Sequence, residues 1–361
     1  MPVTCSDVDG APRANVIGLG LIGGSIALAL KEAGWHVAGD DVVPGRSEDA
    51  VGRGITDAAG LDGAAGITFV AVPVLAVADQ VKRALAETSG VVTDVGGVKG
   101  AIVDAVDDAR FVGGHPMAGS ELDGLDGADG AMFSGATWVL TPVADTDDRT
   151  FAAVASVIAQ LGAEVVAMTP QHHDEMVAVV SHVPHLTAAS LMGVAADRAE
   201  EHAALLRLAA GGFRDMTRVA SGQPDNWLDV CAENRPAIVS ALDALIEQLG
   251  EMREIVRTDA RDDLYARLRR ARDARTNLPV HAGHPQELAE VRIPILDRPG
   301  AAAEIFTLAA QLGVNISSFE VVHLAESNAG VAVVLVDADL ADLYRGGLIA
   351  RGFRPAVTRL S

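Results

Sequence analysis

The feature that most constrains this chain is a glycine-rich turn between an apolar, strand-like segment and a segment of small, helix-forming residues. Gly18, Gly20 and Gly23 follow the pattern G-x-G-x-x-G. Glycines at these positions permit a tight turn, and the helix that follows presents backbone amides to a pyrophosphate. The turn therefore predicts a dinucleotide-binding βαβ unit in which Gly18, Gly20, Leu21, Ile22 and Gly23 contact the cofactor. The alternative is a structural glycine turn without a cofactor.

Two adjacent acids, Asp40 and Asp41, follow the second predicted strand, about 20 residues beyond the glycine turn. A carboxylate at this place accepts hydrogen bonds from the ribose hydroxyls and repels a 2′-phosphate, so it favours NAD over NADP. Either acid fits the spacing, and we assign the role to Asp41. Arg46 nearby keeps NADP open as the alternative.

The first part of the chain, residues 14–168, alternates short apolar runs with helical stretches, which is typical of a Rossmann-type, doubly wound parallel sheet. The strands that we predict are 15–18, 35–39, 67–73, 91–95, 110–114 and 137–141. Such a sheet binds its ligand beyond the carboxyl ends of its strands. Pro73, Asp94 and His115 are expected at that edge, with Pro73 beside the cofactor.

The middle of the chain, residues 169–278, carries no strand pattern and predicts an all-α domain. The helical stretches that we predict are 172–191, 197–209 and 232–275. The last has one apolar stripe and one charged face, so it either packs within its own subunit or forms a dimer interface. After a linker, residues 288–361 follow the order βαββαβ, which predicts a ferredoxin-like module.

The charge balance limits the partners of this protein. The chain has 49 acidic and 28 basic residues, a net charge of −21, so nucleic acid and anionic membranes are not expected partners. We find no secretory signal and no apolar run of the ~18–20 residues that span a membrane. Cys5 and Cys231 form no metal-binding or disulfide pattern. These features predict a cytoplasmic protein that binds any anionic substrate through locally placed arginine.

A second motif, Gly-His-Pro-Met-Ala-Gly-Ser-Glu, places His115 in a glycine-rich stretch at a predicted strand end. A neutral histidine with a pKa near the working pH can take a proton from a substrate hydroxyl. His115 is therefore the candidate catalytic base, and the alternative is a buried structural histidine. The other histidines, at 172, 173, 182 and 185, lack acidic or cysteine partners at ligand spacing, so no metal site is expected.

Six motifs in this order give the chain a resemblance to the prephenate dehydrogenases, including their arogenate-using relatives. The motifs are 18–25 (GLGLIGGS), 70–73 (VAVP), 93–99 (TDVGGVK), 115–121 (HPMAGSE), 181–185 (SHVPH) and 212–218 (GFRDMTR). The resemblance implies a homodimeric enzyme that oxidises prephenate with NAD while the ring carboxylate leaves as carbon dioxide. Arogenate as the substrate, or a non-catalytic regulator that binds NAD and an amino acid, are the alternatives.

The resemblance also implies a substrate site. Arg218 would bind a substrate carboxylate, because a guanidinium binds carboxylate in a bidentate manner. Asp215 and Glu121 would pair with Arg218 near the pocket, unless they form ordinary salt bridges. The residues expected to reach the substrate from the first long helix and from the histidine motif are His185, His182, Ser181 and Ser120.

One position departs from the family pattern. The family commonly has a serine where this chain has Gly97, and its hydroxyl helps to bind the substrate hydroxyl. Either a water or Ser120 replaces that hydroxyl, or His115 works with less help. Lys99, in the same stretch, either touches a ligand or holds the loop.

The C-terminal module resembles an ACT regulatory domain. The resemblance implies that Asp297 and Asn315 hold an amino-acid effector, for which the end product tyrosine is the natural candidate. Backbone amides at the start of the module's first helix can accept the effector's carboxylate. The alternative is a module that forms dimers without a ligand.

Overall fold

The computed structural model describes residues 10–120, 122–201, 205–222, 224–277, 288–296, 300–323 and 329–359. The chain divides into two compact units, Met1–Arg270 and Ala271–Ser361. The first unit therefore contains most of the first two predicted domains, and the boundaries at 168 and 278 stay predictions.

The first unit contains an eight-stranded sheet. Its strands are β1 (Arg13–Ile17), β2 (His36–Asp40), β3 (Ala58–Ala59), β4 (Ile67–Val70), β5 (Val91–Asp94), β6 (Phe111–Pro116), β7 (Thr137–Thr141) and β8 (Glu164–Ala167). They lie in the order β3-β2-β1-β4-β5-β6-β7-β8, and the pair β6–β7 is antiparallel while the others are parallel. The Rossmann-type sheet is confirmed, and the sequence missed only the short edge strands β3 and β8.

Helices cover this sheet. They are α1 (Leu21–Glu32), α2 (Arg46–Gly52), α3 (Val74–Glu87), α4 (Gly100–Ala105) and α5 (Asp148–Gln160). The core beneath them includes the fully buried Trp138 of β7, whose ring lies 6.1 Å from that of Phe69 and 5.1 Å from that of Phe133. Each such pair adds about 0.5–1.5 kcal/mol beyond the burial of area. Trp138 pairs with Pro116 across the strands, so this packing fixes the end of β6 on which His115 lies.

The turn from β1 to α1 requires glycine at two of its three motif positions. Gly18 has a φ of +90°, and a Cβ there would lie 2.3 Å from the Ala71 carbonyl oxygen. A Cβ on Gly23 would lie 1.8 Å from the Gly18 carbonyl oxygen. Gly20 differs, since a Cβ there would meet nothing within 4 Å. Gly18 and Gly23 therefore shape the turn, whereas Gly20 keeps its outer surface open.

The helical region that follows the sheet has shorter helices than the sequence predicts. They are α6 (Pro170–Val177), α7 (Val183–Glu201), α8 (Gly211–Thr217), α9 (Pro224–Glu233), α10 (Arg235–Arg257) and α11 (Arg261–Thr276), with a π-helical turn at Ala178–His182 and 3₁₀ turns at Leu125–Gly127, Leu205–Leu208 and Arg218–Ser221. The single helix predicted over 232–275 is wrong, because the chain breaks at Asn234 and again near Asp259, which has a φ of +50°. The helix predicted over 197–209 is also wrong, since α7 ends at residue 201.

The run Pro170–Arg198 is long and apolar enough to cross a membrane, with a mean hydropathy of 1.4 over its best window. The expectation that no segment reaches this limit is therefore wrong by this measure. In the part of the chain that the structure describes, no other helix is both long enough and apolar enough to cross a membrane. One such helix is weak evidence for a membrane, because helices in the cores of water-soluble proteins pass as well.

The second unit has the predicted order βαββαβ. Its elements are β9 (Leu288–Leu296), α12 (Ala301–Leu312), β10 (Ile316–His323), β11 (Ala329–Asp337), α13 (Ala341–Ala350) and β12 (Ala356–Arg359). The antiparallel sheet has the order β10-β11-β9-β12, which confirms the ferredoxin-like fold. Tyr344 lies in its core and donates a hydrogen bond of 3.0 Å to the Ile305 carbonyl, and burial raises the pKa of Tyr344 to about 12. Asn315 is exposed, and Asp297 lies outside the described residues.

The glycine turn gives the first testable prediction. We expect Gly23→Ala to lower the free energy of unfolding by about 1–3 kcal/mol, because the new methyl group overlaps a backbone carbonyl that cannot move without opening the turn. Gly20→Ala is the matched control, since its methyl group meets open space and its φ of −90° suits alanine. Urea denaturation of both variants measures the difference, and equal stabilities would contradict the account.

Candidate active site

A cavity of about 540 Å³ lies between the glycine turn, the carboxyl ends of β4 and β5, and α9. The residues that line it are Gly20, Leu21, Ile22, Ala71, Val72, Pro73, Val74, Val95, Gly96, Gly97, Ser120, Leu122, Asp123, Gly124, Ser221, Gly222, Asn226, Trp227, Asp229 and Val230. Five of the predicted cofactor and substrate residues, Gly20, Leu21, Ile22, Pro73 and Ser120, therefore share one cavity.

The start of α1 fits a pyrophosphate. Gly20 caps this helix without any side-chain hydrogen bond. The first amides of a helix have no partner within it, so they remain available to an anionic group. Because Gly20 has no side chain and its outer surface is open, a phosphate can approach the backbone closely at this point.

The two acids after β2 make different contacts. The Asp41 carboxylate accepts hydrogen bonds from the Leu19 amide at 2.7 Å and from the Val43 amide at 2.8 Å. Asp40 instead pairs with Arg83 at 2.7 Å. Asp41 is thus attached to the glycine turn, and its role as the ribose acid stays a prediction. Arg46 lies 3.5 Å from the same carboxylate.

His115 lies on β6 directly behind the cavity wall. A Cβ on Gly97, which lines the cavity, would lie 3.8 Å from Nε2 of His115. The other ring nitrogen, Nδ1, is 2.8 Å from Nε2 of His173. Burial lowers the pKa of His115 well below 6.5, and the electrostatic influence of His173, Lys99 and His182 lowers it further. The ring is therefore neutral at neutral pH, as a general base must be.

His173 and Asp174 extend this contact into the interior, and the sequence did not identify them as a pair. His173 is fully buried, and its Nδ1 lies 2.8 Å from Oδ1 of Asp174. The carboxylate of Asp174 also accepts hydrogen bonds from the backbone amides of Lys99 and Gly100, both at 2.8 Å. His115 and His173 are 58 residues apart, so no local periodicity relates them. The one available signal was the His-Asp pair near the start of α6.

Asp94 and Lys99 form a fully buried ion pair below the same loop. Asp94 also accepts hydrogen bonds from the amides of Gly96 at 2.8 Å and Gly114 at 3.1 Å. Burial lowers the pKa of Lys99, and Asp94 opposes this effect. Of the two roles considered for Lys99, this geometry favours holding the loop rather than touching a ligand.

His185 and His182 approach the cavity through Trp227. The His185 ring stacks on Trp227, with centroids 3.6 Å apart and planes at 14°, and Trp227 lines the cavity. His182 is buried, contacts Asn234 at 3.3 Å, and burial lowers its pKa to about 4. Pro184 lacks an N–H for the carbonyl four residues earlier, which accounts for the π-helical turn that carries Ser181 and His182.

The remaining predicted residues differ in their relation to the cavity. Arg218 and Asp215 are exposed, and neither is among the described residues that line the cavity. Arg218 begins the 3₁₀ turn whose end, Ser221, does line it. Ser120 lines the cavity and accepts a hydrogen bond of 3.2 Å from the Leu122 amide. Glu121 lies outside the described residues.

Two family models match most of the chain. Residues 26–167 match the nucleotide-binding domain of prephenate dehydrogenase, and residues 169–270 match its dimerization domain. The chain belongs to the prephenate dehydrogenase family. The second match includes the long apolar helical run 170–198, so this run is part of a dimerization domain.

Individual relatives agree with this assignment. The prephenate dehydrogenase of Bacillus subtilis (strain 168) is 32% identical over 339 residues, which cover 89% of this chain and 91% of that protein. The solved prephenate dehydrogenase of Aquifex aeolicus, in complex with hydroxyphenyl propionate and NAD+, matches with a TM-score of 0.70 and 29% identity, covering 74% of this chain and 98% of its own. The Synechocystis arogenate dehydrogenase matches with a TM-score of 0.65 and 30% identity, covering 74% and 100%.

Within the described ranges, no group of three or more His, Cys, Asp and Glu side chains is arranged to hold a metal ion. His172 is exposed and lies 3.8 Å from Glu175, whereas His173 faces His115. The other two histidines considered in the sequence, His182 and His185, both contact the ring of Trp227.

The buried ion pair gives the second prediction. We expect Lys99→Met to lower the free energy of unfolding by about 3–5 kcal/mol, because it leaves the charge of Asp94 buried without its cation. The double variant Asp94→Asn, Lys99→Met removes both charges and should be more stable than Lys99→Met alone. Urea denaturation compares the two, and a double variant that is less stable than Lys99→Met would refute the role of the unpaired charge.

Proposed function

We propose that this protein catalyses the NAD-dependent oxidative decarboxylation of prephenate to 4-hydroxyphenylpyruvate, a step of tyrosine biosynthesis. One observation carries the proposal. The neutral side chain of His115 lies directly behind Gly97, and Gly97 lines the cavity. The same cavity is lined by the glycine turn that is predicted to bind a dinucleotide. The family membership, and relatives named for prephenate as the substrate, support the same reaction.

NAD fits the residues present. The start of α1, opened by Gly20, suits the pyrophosphate, and Asp41 suits the ribose hydroxyls. Leu21, Ile22 and Pro73 supply apolar walls of the same cavity. When bound, NAD would supply the acceptor for the hydride of C4 of the substrate. Arg46 lies beside the Asp41 carboxylate and does not replace it. Because the carboxylate would repel a 2′-phosphate, NAD stays favoured over NADP.

His115 handles the hydroxyl proton in this proposal. It takes the proton of the C4 hydroxyl at Nε2 while the hydride leaves C4. The ring carboxylate then departs as carbon dioxide and its bonding electrons aromatise the ring. The resulting phenolate takes the proton back, so no net proton is lost from the hydroxyl. A base of this kind typically contributes about 10²–10⁴-fold to the rate.

The charge for substrate binding comes from arginine. His182 has a pKa of about 4 and burial also lowers the pKa of His185, so both act as neutral hydrogen-bonding groups. Arg218 therefore supplies the cation for a substrate carboxylate. Asp215 and Glu121 are assigned as the partners of Arg218, and Ser120 and Ser181 are assigned as hydroxyl groups that bind the substrate.

Arogenate is the second candidate substrate, and one observation favours it. Asp123 and Asp229 line the cavity, and either can accept a hydrogen bond from the ammonium group that arogenate carries in place of the keto group of prephenate. The similarity to the Synechocystis arogenate dehydrogenase is in line with this alternative.

The protein is proposed to act as a homodimer in the cytoplasm. Val180, Val194 and Ile246 of the helical region are each more than 60% exposed. An apolar groove of about 520 Å³, with Leu191 and Leu245 in its walls, lies on the same region. A second copy that covers these side chains removes apolar area from water.

The C-terminal unit is proposed to bind tyrosine as a regulator. Its βαββαβ order supports an ACT-like role, and Asn315 lies exposed just before β10. Asp297 is assigned to the same ligand. A module that forms dimers without a ligand is the alternative.

A direct assay tests the reaction. We expect NADH to form, as followed by its absorbance, when the protein is mixed with NAD and prephenate, and tyrosine to slow this turnover. The same assay with arogenate measures the preference between the substrates. NAD binding without turnover of either substrate would refute the proposed reaction and favour the non-catalytic regulator.

The pH dependence tests His115. Because its pKa lies below 6.5, we expect kcat/KM at saturating NAD to be constant across neutral pH and to fall as the pH drops through that pKa. His115→Asn should lose about 10²–10⁴-fold in kcat while it still binds NAD. An acid limb with a midpoint above neutral pH, or turnover retained in His115→Asn, would assign the base to another group.

A further inference from the structure

A buried chain of three side chains determines which nitrogen of His115 carries its proton. We propose that Asp174, acting through His173, is a positioning residue that holds His115 in the tautomer with a bare Nε2 toward the cavity. The catalytic consequence rests on the proposed function, whereas the tautomer is a property of the protein alone.

The first step concerns Asp174. Its Oδ1 faces the Lys99 amide and its Oδ2 faces the Gly100 amide, and a backbone amide can only donate. Burial alone raises the pKa of Asp174, but hydrogen bonds from His173, Gly100 and Lys99 outweigh it and leave the pKa below its usual value. Asp174 is therefore an ionised carboxylate that only accepts.

The second step concerns His173. Its Nδ1 lies 2.8 Å from Oδ1 of Asp174, so Nδ1 must carry the hydrogen. The ring is fully buried, and in its neutral form an imidazole has a single N–H, which the contact with Asp174 assigns to Nδ1. The second nitrogen, Nε2, consequently presents a lone pair toward His115.

The third step reaches His115. Its Nδ1 lies 2.8 Å from Nε2 of His173 and therefore donates a hydrogen bond to the lone pair on that atom. A neutral imidazole has one N–H, so Nε2 of His115 is bare. This nitrogen faces Gly97, where a Cβ would lie 3.8 Å away, and Gly97 lines the cavity. The base is thus ready to accept a proton before any substrate arrives.

Elements on two sides hold the chain in place. The segment from β5 to α4 contributes the amides that bind Asp174, and Asn234, just before α10, donates 2.8 Å to the Asp174 carbonyl. The charged or titratable groups around His115 are His173, Asp174 and His182 from the helical region, and Asp94 and Lys99 from the sheet side. The competing explanation is a structural latch, in which these hydrogen bonds only hold the elements together and do not select the tautomer of His115.

Asp174→Asn separates the two accounts. If its amide nitrogen faces His173, it donates to Nδ1, which reverses both hydrogen bonds and places the proton of His115 on Nε2. In serine proteases the corresponding aspartate-to-asparagine change lowers kcat about 10⁴-fold by favouring the wrong tautomer. We expect kcat to fall by about 10²–10⁴-fold, the KM for prephenate to stay unchanged, and the acid limb of kcat to move to lower pH because an anion is lost.

A matched pair at His173 isolates the hydrogen bond. In His173→Gln, the amide oxygen can accept from Nδ1 of His115, so the useful tautomer is kept without Asp174. His173→Leu has no acceptor. We expect His173→Gln to be at least about tenfold more active than His173→Leu, within the range that a general base contributes. A structural latch predicts equal losses, because both variants break the contact with Asp174.

Nitrogen-15 NMR of histidine-labelled wild-type protein tests the tautomer directly, with the His115 signals assigned by their loss in His115→Asn. We expect a protonated Nδ1 and a bare Nε2. A bare Nδ1 in the wild type, a wild-type kcat in an Asp174→Asn protein whose His115 carries its proton on Nε2, or equal activity of the two His173 variants would overturn the proposal. If the wild type turns over neither prephenate nor arogenate, the proposed function fails, yet the NMR result still decides the tautomer. It also decides if Asp174→Asn does not fold.

Discussion

The buried ion pair between Asp94 and Lys99 is the interaction on which the candidate site depends. The carboxylate meets its cation and two backbone amides at the point where β5 ends and β6 passes. One of those amides, from Gly114, directly precedes His115. A buried carboxylate is costly unless such donors surround it, so the loop must close around Asp94 for the chain to fold well. The position of His115 on β6 therefore depends on the need to surround the buried charge of Asp94, at the end of the neighbouring strand β5, with hydrogen-bond donors.

The same loop continues the constraint into the helical region. Lys99 contributes its side chain to Asp94 and its backbone amide to Asp174. One residue thus links the parallel sheet to α6, and the cavity lies beside this link. Because the contacts are fully or nearly buried, solvent screens them little. The helical region is consequently fixed relative to the strand ends before any ligand binds, which reduces the ordering needed to bring a substrate to His115.

The sequence revealed those parts of the molecule that depend on local chemistry. The glycine turn, six strands and the βαββαβ order follow from periodicity and from residues that suit only one backbone geometry, such as Gly18 at a φ of +90°. The long-range contacts were not accessible. Asp174 meets Lys99 across 75 residues, and nothing near either residue marks the other as its partner. The helix break at Asn234 was missed because it too depends on long-range contacts. The Asn234 side chain contacts the Asp174 carbonyl and the His182 ring and does not cap its own helix.

Gly97 gives the histidine chain added weight. With a serine at this position, as is common in the family, a hydroxyl near His115 can share the binding of the substrate hydroxyl. With glycine, the wall beside Nε2 is backbone alone, and the direction of that hydrogen bond depends on His115. A ring free to exchange tautomers would then spend part of its time with Nε2–H toward the substrate, where it cannot accept a proton. Fixing the tautomer from behind, through two buried groups, removes that unproductive state without placing any further side chain in the cavity.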